Sequence, residues 1–147
     1  MKTTLGLLIA FLLGTLPASA GLGQTMGSVR IDQAAMRGKL AATTQQGYSV
    51  QQITAPDGAV VKEYVSPAGV VFGVSWHGPT MPNLALLLGP YFPQFQKAAQ
   101  SARRRRGPLL VRTNQLVVES GGHLRSFRGR AYVPALVPDS VTQAVVQ

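Results

Sequence analysis

Residues 48–76 read YSVQQITAPDGAVVKEYVSPAGVVFGVSW, and the punctuation of this stretch decides the fold. Tyr48 to Thr54 alternates, with Tyr48, Val50 and Gln52 on one face and Ser49, Gln51 and Ile53 on the other. Ala55-Pro56-Asp57-Gly58 is a turn by composition, because proline presets its own φ and glycine accepts a positive one. Ala59 to Val65 is then a second strand, and Ser66-Pro67-Ala68-Gly69 a second turn of the same kind. Val70 to Trp76 is the third strand, with Val70, Phe72, Val74 and Trp76 on one side. Three short strands joined by two tight turns predict an antiparallel meander.

Downstream, His77-Gly78-Pro79 breaks the pattern, and Pro82 suits the first position of a helix. Leu84, Leu87, Leu88, Tyr91, Phe92, Phe95, Ala98 and Ala99 fall on one helical face. Gly89-Pro90 and Pro93 interrupt that run, and an interior proline costs about 3 kcal/mol. The expectation is therefore two helical pieces with a kink, Pro82 to Leu88 and about Tyr91 to Ser101. Leu109 to Arg112 and Gln115 to Ser120 read as strands, Gly121-Gly122 as a tight turn, and His123 to Phe127 and Arg130 to Val133 as further extended segments. Pro134 and Pro138 mark an irregular tail, where Asp139 or Ser140 would cap a last short helix through Val146. Upstream, Ser28 to Leu40 reads as a short helix ended by Gly38, Thr43 to Gly47 as a polar loop, and Gly21 to Gly27 as a flexible start. The class is α+β: an antiparallel sheet, built from a three-stranded meander and C-terminal strands, packed by one kinked amphipathic helix.

The first twenty residues carry a different message. Met1-Lys2 is a short positive start, Leu5 to Leu16 an apolar run, and Ala18-Ser19-Ala20 a small-x-small ending. That is the pattern of a secretory leader, cut between Ala20 and Gly21, and it leaves residues 21–147 as a single domain. The run is short for a span of about 20 residues, so no transmembrane segment is expected in the mature chain. The predicted compartment is the envelope of a Gram-negative cell, periplasm first and extracellular release second.

Composition bounds the chemistry. With no cysteine, disulfides, thiolate nucleophiles, thiolate zinc sites and iron–sulfur clusters are excluded. Fourteen Lys and Arg stand against five Asp and Glu, a net +9, and most of the excess lies in the second half. Arg103, Arg104, Arg105 and Arg106 form a run, and Arg125, Arg128 and Arg130 follow on strands. Guanidinium forks pair with phosphate or carboxylate, so these seven residues are the candidate anion site. The implied partner is an anionic envelope component, such as lipopolysaccharide, phospholipid or acidic polysaccharide, or else an envelope protein. The aromatic residues are not interleaved with the arginines as a stacking platform requires, which argues against nucleic acid.

Catalytic signals are weak. Ser120 and His123 are candidates for a small hydrolase, but Ser120-Gly121-Gly122-His123 lacks the Gly-x-Ser-x-Gly elbow that exposes a nucleophile. Asp57 is explained by its turn and Asp139 by a cap, and Glu63 beside Lys62 reads as surface. Asp32 and Glu119 are left with no motif around them. His77 and His123 have no spacing that suggests a metal site, and no cofactor motif is present. The expectation is a non-enzymatic binding or accessory protein. The alternatives are the Ser120–His123 hydrolase, and a carrier of a small apolar ligand held between the kinked helix and the sheet by Leu84, Leu88, Phe92 and Phe95.

Three longer signatures carry a family likeness. Glu63-Tyr64-Val65-Ser66-Pro67-Ala68-Gly69 with Val71-Phe72 and Trp76 is the first, and Leu87-Leu88-Gly89 with Tyr91-Phe92 the second. Ser120-Gly121-Gly122-His123-Leu124-Arg125 with Gly129-Arg130-Ala131-Tyr132 is the third. Together they resemble the proteobacterial family known as domain of unknown function 2844, over nearly the whole chain beyond residue 20. Pro90 and Pro93 depart from that family's helical segment. The resemblance implies an exported envelope protein, and neither an activity nor a catalytic residue.

Overall fold

The computed structural model describes residues 21–102 and 107–147. The leader reading of residues 1–20 and the run Arg103 to Arg106 lie outside the described residues. Helix α1 (Val29–Met36) leads into four strands, β1 (Lys39–Gln45), β2 (Tyr48–Thr54), β3 (Val60–Val65) and β4 (Val71–Gly78). Helices α2 (Leu84–Leu88) and α3 (Phe92–Ala102) follow, then β5 (Leu109–Arg112), β6 (Val117–His123) and β7 (Ser126–Tyr132). All seven strands join one antiparallel sheet in the order β1-β2-β3-β4-β7-β6-β5. The α+β class and the helix packed against an antiparallel sheet are as the sequence predicts.

The two predicted turns form as their residues dictate. Gly58 and Gly69 have φ of 89° and 77°, and Asp57 Oδ1 accepts the Ala59 N–H at 3.0 Å. The meander has a fourth strand, because Thr43 to Gln45, predicted as part of a loop, belong to β1 and pair with β2, leaving only Gln46 and Gly47 as the turn. A bulge separates Tyr64–Gly73 from Val65–Val71 in the β3–β4 register. It turns Phe72 to the opposite face from Val74 and Trp76, correcting the simple alternation expected there. In the second half, Gly121 and Gly122 lie inside β6 rather than in a turn. The β6–β7 hairpin turns instead at Leu124-Arg125, with Arg125 at φ 65°.

Each face of the sheet is covered by a different part of the chain. Val61, Val65, Val74, Trp76, Val111, Val118 and Ala131 face a core completed by Leu22, Val29, Leu87, Leu88, Phe95 and Ala99. The helical run breaks as its prolines require, α2 passing through a 3-10 turn at Gly89–Tyr91 into α3. Asn83, rather than a residue before Pro82, caps α2, its side chain accepting from the Ala85 and Leu86 N–H groups. On the other face Tyr64, Phe72, Val117 and Tyr132 pack with Val146 of the C-terminal tail. That tail forms only 3-10 turns, Pro134–Leu136 and Gln143–Val145, in place of the predicted capped helix.

The start of the described chain also departs from expectation. Gly21 and Leu22 are buried rather than flexible. Leu22 N–H donates to Leu87 O, Gly23 N–H to Val71 O and Met26 N–H to Gly69 O, each at 2.8 Å. Val71 N–H returns a bond to Gln24 O at 2.9 Å. Four main-chain bonds therefore hold residues 22–26 across the start of β4 and the end of α2.

Candidate functional site

Strand alternation and cross-strand register assemble one polar groove on the tail face. Arg128 of β7 lies between His77 of β4 and Gly121 of β6, and Arg130 between Ser75 and Glu119. The tail ends the groove at one side: Arg130 Nη1 donates to Val146 O at 3.3 Å, and Tyr64 Oη donates to the main-chain oxygen of Gln147 at 2.6 Å. The groove encloses about 450 Å³. Its two arginines are not equivalent. Arg130 Nε and Nη2 both approach Glu119 Oε2 at 2.9 Å, and Arg112 Nη2 approaches Oε1 at 3.4 Å. The Arg130 guanidinium holds the Glu119 carboxyl below its ordinary range, and Glu119 in turn holds Arg130 above its own. Being partly exposed, such a pair contributes roughly 0–1 kcal/mol to stability. Arg128 is exposed and makes no ion pair with any described acid. Its guanidinium, beside the exposed His77 ring, is the feature here suited to an incoming carboxylate or phosphate.

The structure thus gathers part of the predicted anion set. Arg128 and Arg130 share the groove, and Arg125 sits at the adjoining hairpin tip, 3 residues from Arg128 along the chain. Sequence reasoning named these residues but missed the Glu119 clamp, which needs the β6–β7 register to be seen.

Ser120 and His123 are not brought together. Ser120 is buried on the helix face, opposite Gly129. His123 is exposed at the hairpin end, where its only described side-chain contact is Nδ1 to Leu124 O at 3.3 Å. No hydrogen bond among the described residues joins them, and alternation along β6 puts their side chains on opposite faces of the sheet. On the helix side, an open groove of about 660 Å³ runs between α2, α3 and β5, lined in part by Leu84, Phe92 and Phe95. Leu88, the fourth residue expected there, is fully buried in the core beneath it.

A second cluster was missed altogether. Glu63, read from sequence as surface, is fully buried, as is Asp32 of α1. Glu63 shares the helix face of β3 with Val61 and Val65, so its side chain enters the core under α1. The two carboxyls contact each other, and Asp32 also meets the Gly21 backbone N–H. None of their four oxygens has a hydrogen-bond partner of good geometry among the described residues, and no described Lys, Arg or His pairs with them. Burial pushes both carboxyls up, Glu63 further because Asp32 beside it disfavours a second charge. Two such carboxyls side by side in the core hold one proton between them rather than two charges. The signal in sequence was phase: Glu63 stands in register with two valines of a strand whose other face carries Lys62 and Tyr64.

Among the described residues, no three His, Cys, Asp or Glu side chains gather as metal ligands. No described helix is long and apolar enough to cross a membrane. No curated protein and no solved structure matches the chain. A family model does match, over residues 18–146 and through all seven strands, and the chain accordingly belongs to the family described as protein of unknown function (DUF2844).

Proposed function

We propose that this is an exported envelope protein that binds rather than catalyses, presenting the groove at His77, Arg128 and Arg130 to an anionic partner. The observation that carries this reading is Arg128: an exposed guanidinium on the groove floor, next to His77, with no described acid against it. Arg130 supports it less directly, since Glu119 already holds that guanidinium. A net charge of +9 adds a long-range field that draws polyanions toward the surface. In the envelope such partners are lipopolysaccharide phosphates, anionic phospholipid headgroups and acidic polysaccharide. Export rests on the leader pattern of residues 1–20, with the periplasm as the proposed compartment and extracellular release as the alternative. The experiment is retention of the protein on immobilised lipopolysaccharide, anionic vesicles and heparin. Replacing Arg125 and Arg128 with Ser should weaken retention at least several-fold, and separately replacing Arg103 to Arg106 shows what that run adds. Unchanged retention in both variants overturns the reading.

The helix-side groove supports a second reading, carriage of a small apolar ligand along Leu84, Phe92 and Phe95. Native mass spectrometry of the protein recovered from its own envelope tests it. A retained lipid lost on replacing Leu84 with Gln supports carriage, and a bare chain counts against it.

A further inference from the structure

The buried acid pair has no described function in the fold. It supplies one acidic proton and four acceptor oxygens to a place that water does not reach, which is costly unless something occupies them. The surroundings name the occupant. Residues 22–26 are tied to Leu87, Val71 and Gly69 by main-chain bonds, and these bonds set the Gly21 nitrogen against Asp32. Gly21 has φ +88°, and a Cβ there would fall 2.3 Å from Leu87 O and 2.4 Å from Leu86 O. The main chain at this point is therefore packed tightly against two carbonyl oxygens, with Asp32 beside its nitrogen. Cross-strand neighbours of Glu63 are Gln51 and Val74. The charged residues of and beside α1, Arg30 and Arg37, are exposed. No cation reaches the pair from any described element packed against it.

We infer that the Asp32–Glu63 pair is the binding site for the α-ammonium group of Gly21, created when the leader is removed. This rests on the cut between Ala20 and Gly21 proposed above. Hydrolysis of that peptide bond adds one water, leaving a carboxylate on Ala20 and an amine on Gly21 that takes a proton. Before the cut, Gly21 offers one neutral N–H, and the pair must keep a proton. After it, the same nitrogen offers three donors and one positive charge, which balances the single negative charge that the pair carries while one proton stays between its two carboxyls. Leader removal thereby completes the core instead of merely freeing the protein.

The sign of the pH effect differs between the two forms. Where Gly21 remains an amide, a carboxyl whose folded value is raised binds more protons folded than unfolded, so stability falls as pH rises above the ordinary carboxylate range. With the ammonium present, its own raised value adds stability that is complete below the ordinary α-amine range and lost as pH rises through the folded value. The processed protein should keep its stability through neutral pH, where the unprocessed chain loses it.

The test begins with protein recovered from the cell envelope. N-terminal sequencing reads the cut. The unmodified α-amine is then titrated by NMR through the Cα carbon of Gly21 in glycine-labelled protein, and its acylation rate is measured at pH 8. An exposed α-amine titrates at about 7.7–8.0. The inference predicts a higher value and acylation at least about tenfold slower than in a Gly-Leu-Gly peptide, one pH unit being a factor of ten. Asp32→Asn with Glu63→Gln should restore ordinary titration, and if that variant does not fold the peptide remains the reference. A start at Gly21 with an ordinary amine overturns the site while leaving the cut intact. A start at another residue overturns the cut, and the site with it.

Discussion

At the scale of single residues, Glu63 carries the most consequence for stability. Its side chain enters the core fully buried, with its carboxyl beside that of Asp32. Glu63→Gln keeps a donor toward Asp32 and should cost about 1 kcal/mol. Glu63→Leu fills the volume but leaves a carboxylate buried without that donor, and should cost about 3–5 kcal/mol. Urea unfolding at pH 7 distinguishes them, and a leucine variant as stable as the glutamine one would mean that the pair contributes nothing to the fold. Elsewhere, single glycines mark close approaches rather than turns. Gly129 leaves room for the Trp76 ring, which a Cβ would meet at 2.3 Å, and Gly122, at φ +115°, would place a Cβ 2.1 Å from Ser126 O.

At the scale of elements, what was legible in the sequence was what local chemistry decides. The turns at Asp57-Gly58 and Ser66 to Gly69, β3, the start of β4 and the proline-broken helical run all followed from residue type and phase. What was not legible depended on partners distant in the chain. β1 is an edge strand, mostly exposed, whose run of Ala, Thr and Gln shows no apolar alternation, and it is a strand because β2 pairs with it. Gly121-Gly122 looks like a turn until Pro108 and the returning strand demand small residues there. The buried start at Leu22 and the Asp32–Glu63 pair likewise need three separate segments in place. One element-scale prediction follows from the true position of the hairpin turn. Arg125 holds a left-handed conformation that costs a non-glycine residue about 1–2 kcal/mol. Arg125→Gly should therefore stabilise the β6–β7 hairpin by about 1 kcal/mol in thermal unfolding. If its charge contributes to anion binding, the same variant should also bind heparin more weakly. A destabilised variant would show that the Arg125 side chain holds the turn.

At the scale of the whole molecule, the sheet is a partition. Its helix face is closed by α1, α2, α3 and the segment from Gly21, and much of its other face by the tail that ends in Val146 and Gln147. The tail leaves uncovered the part of β4, β7 and β6 where His77, Arg128 and Arg130 stand. On the function proposed above, recognition uses that remaining face, and the buried carboxyls serve assembly of the core. Anionic ligands should then be felt in one place. The most direct measurement is an amide NMR titration of the processed protein with a short heparin oligosaccharide at low and moderate salt. The account predicts shifts concentrated at His77, Gly121, Arg128 and Arg130, weakening as salt rises and lost on Arg128→Ser. Shifts centred elsewhere on the described surface, or none at low salt, would contradict it.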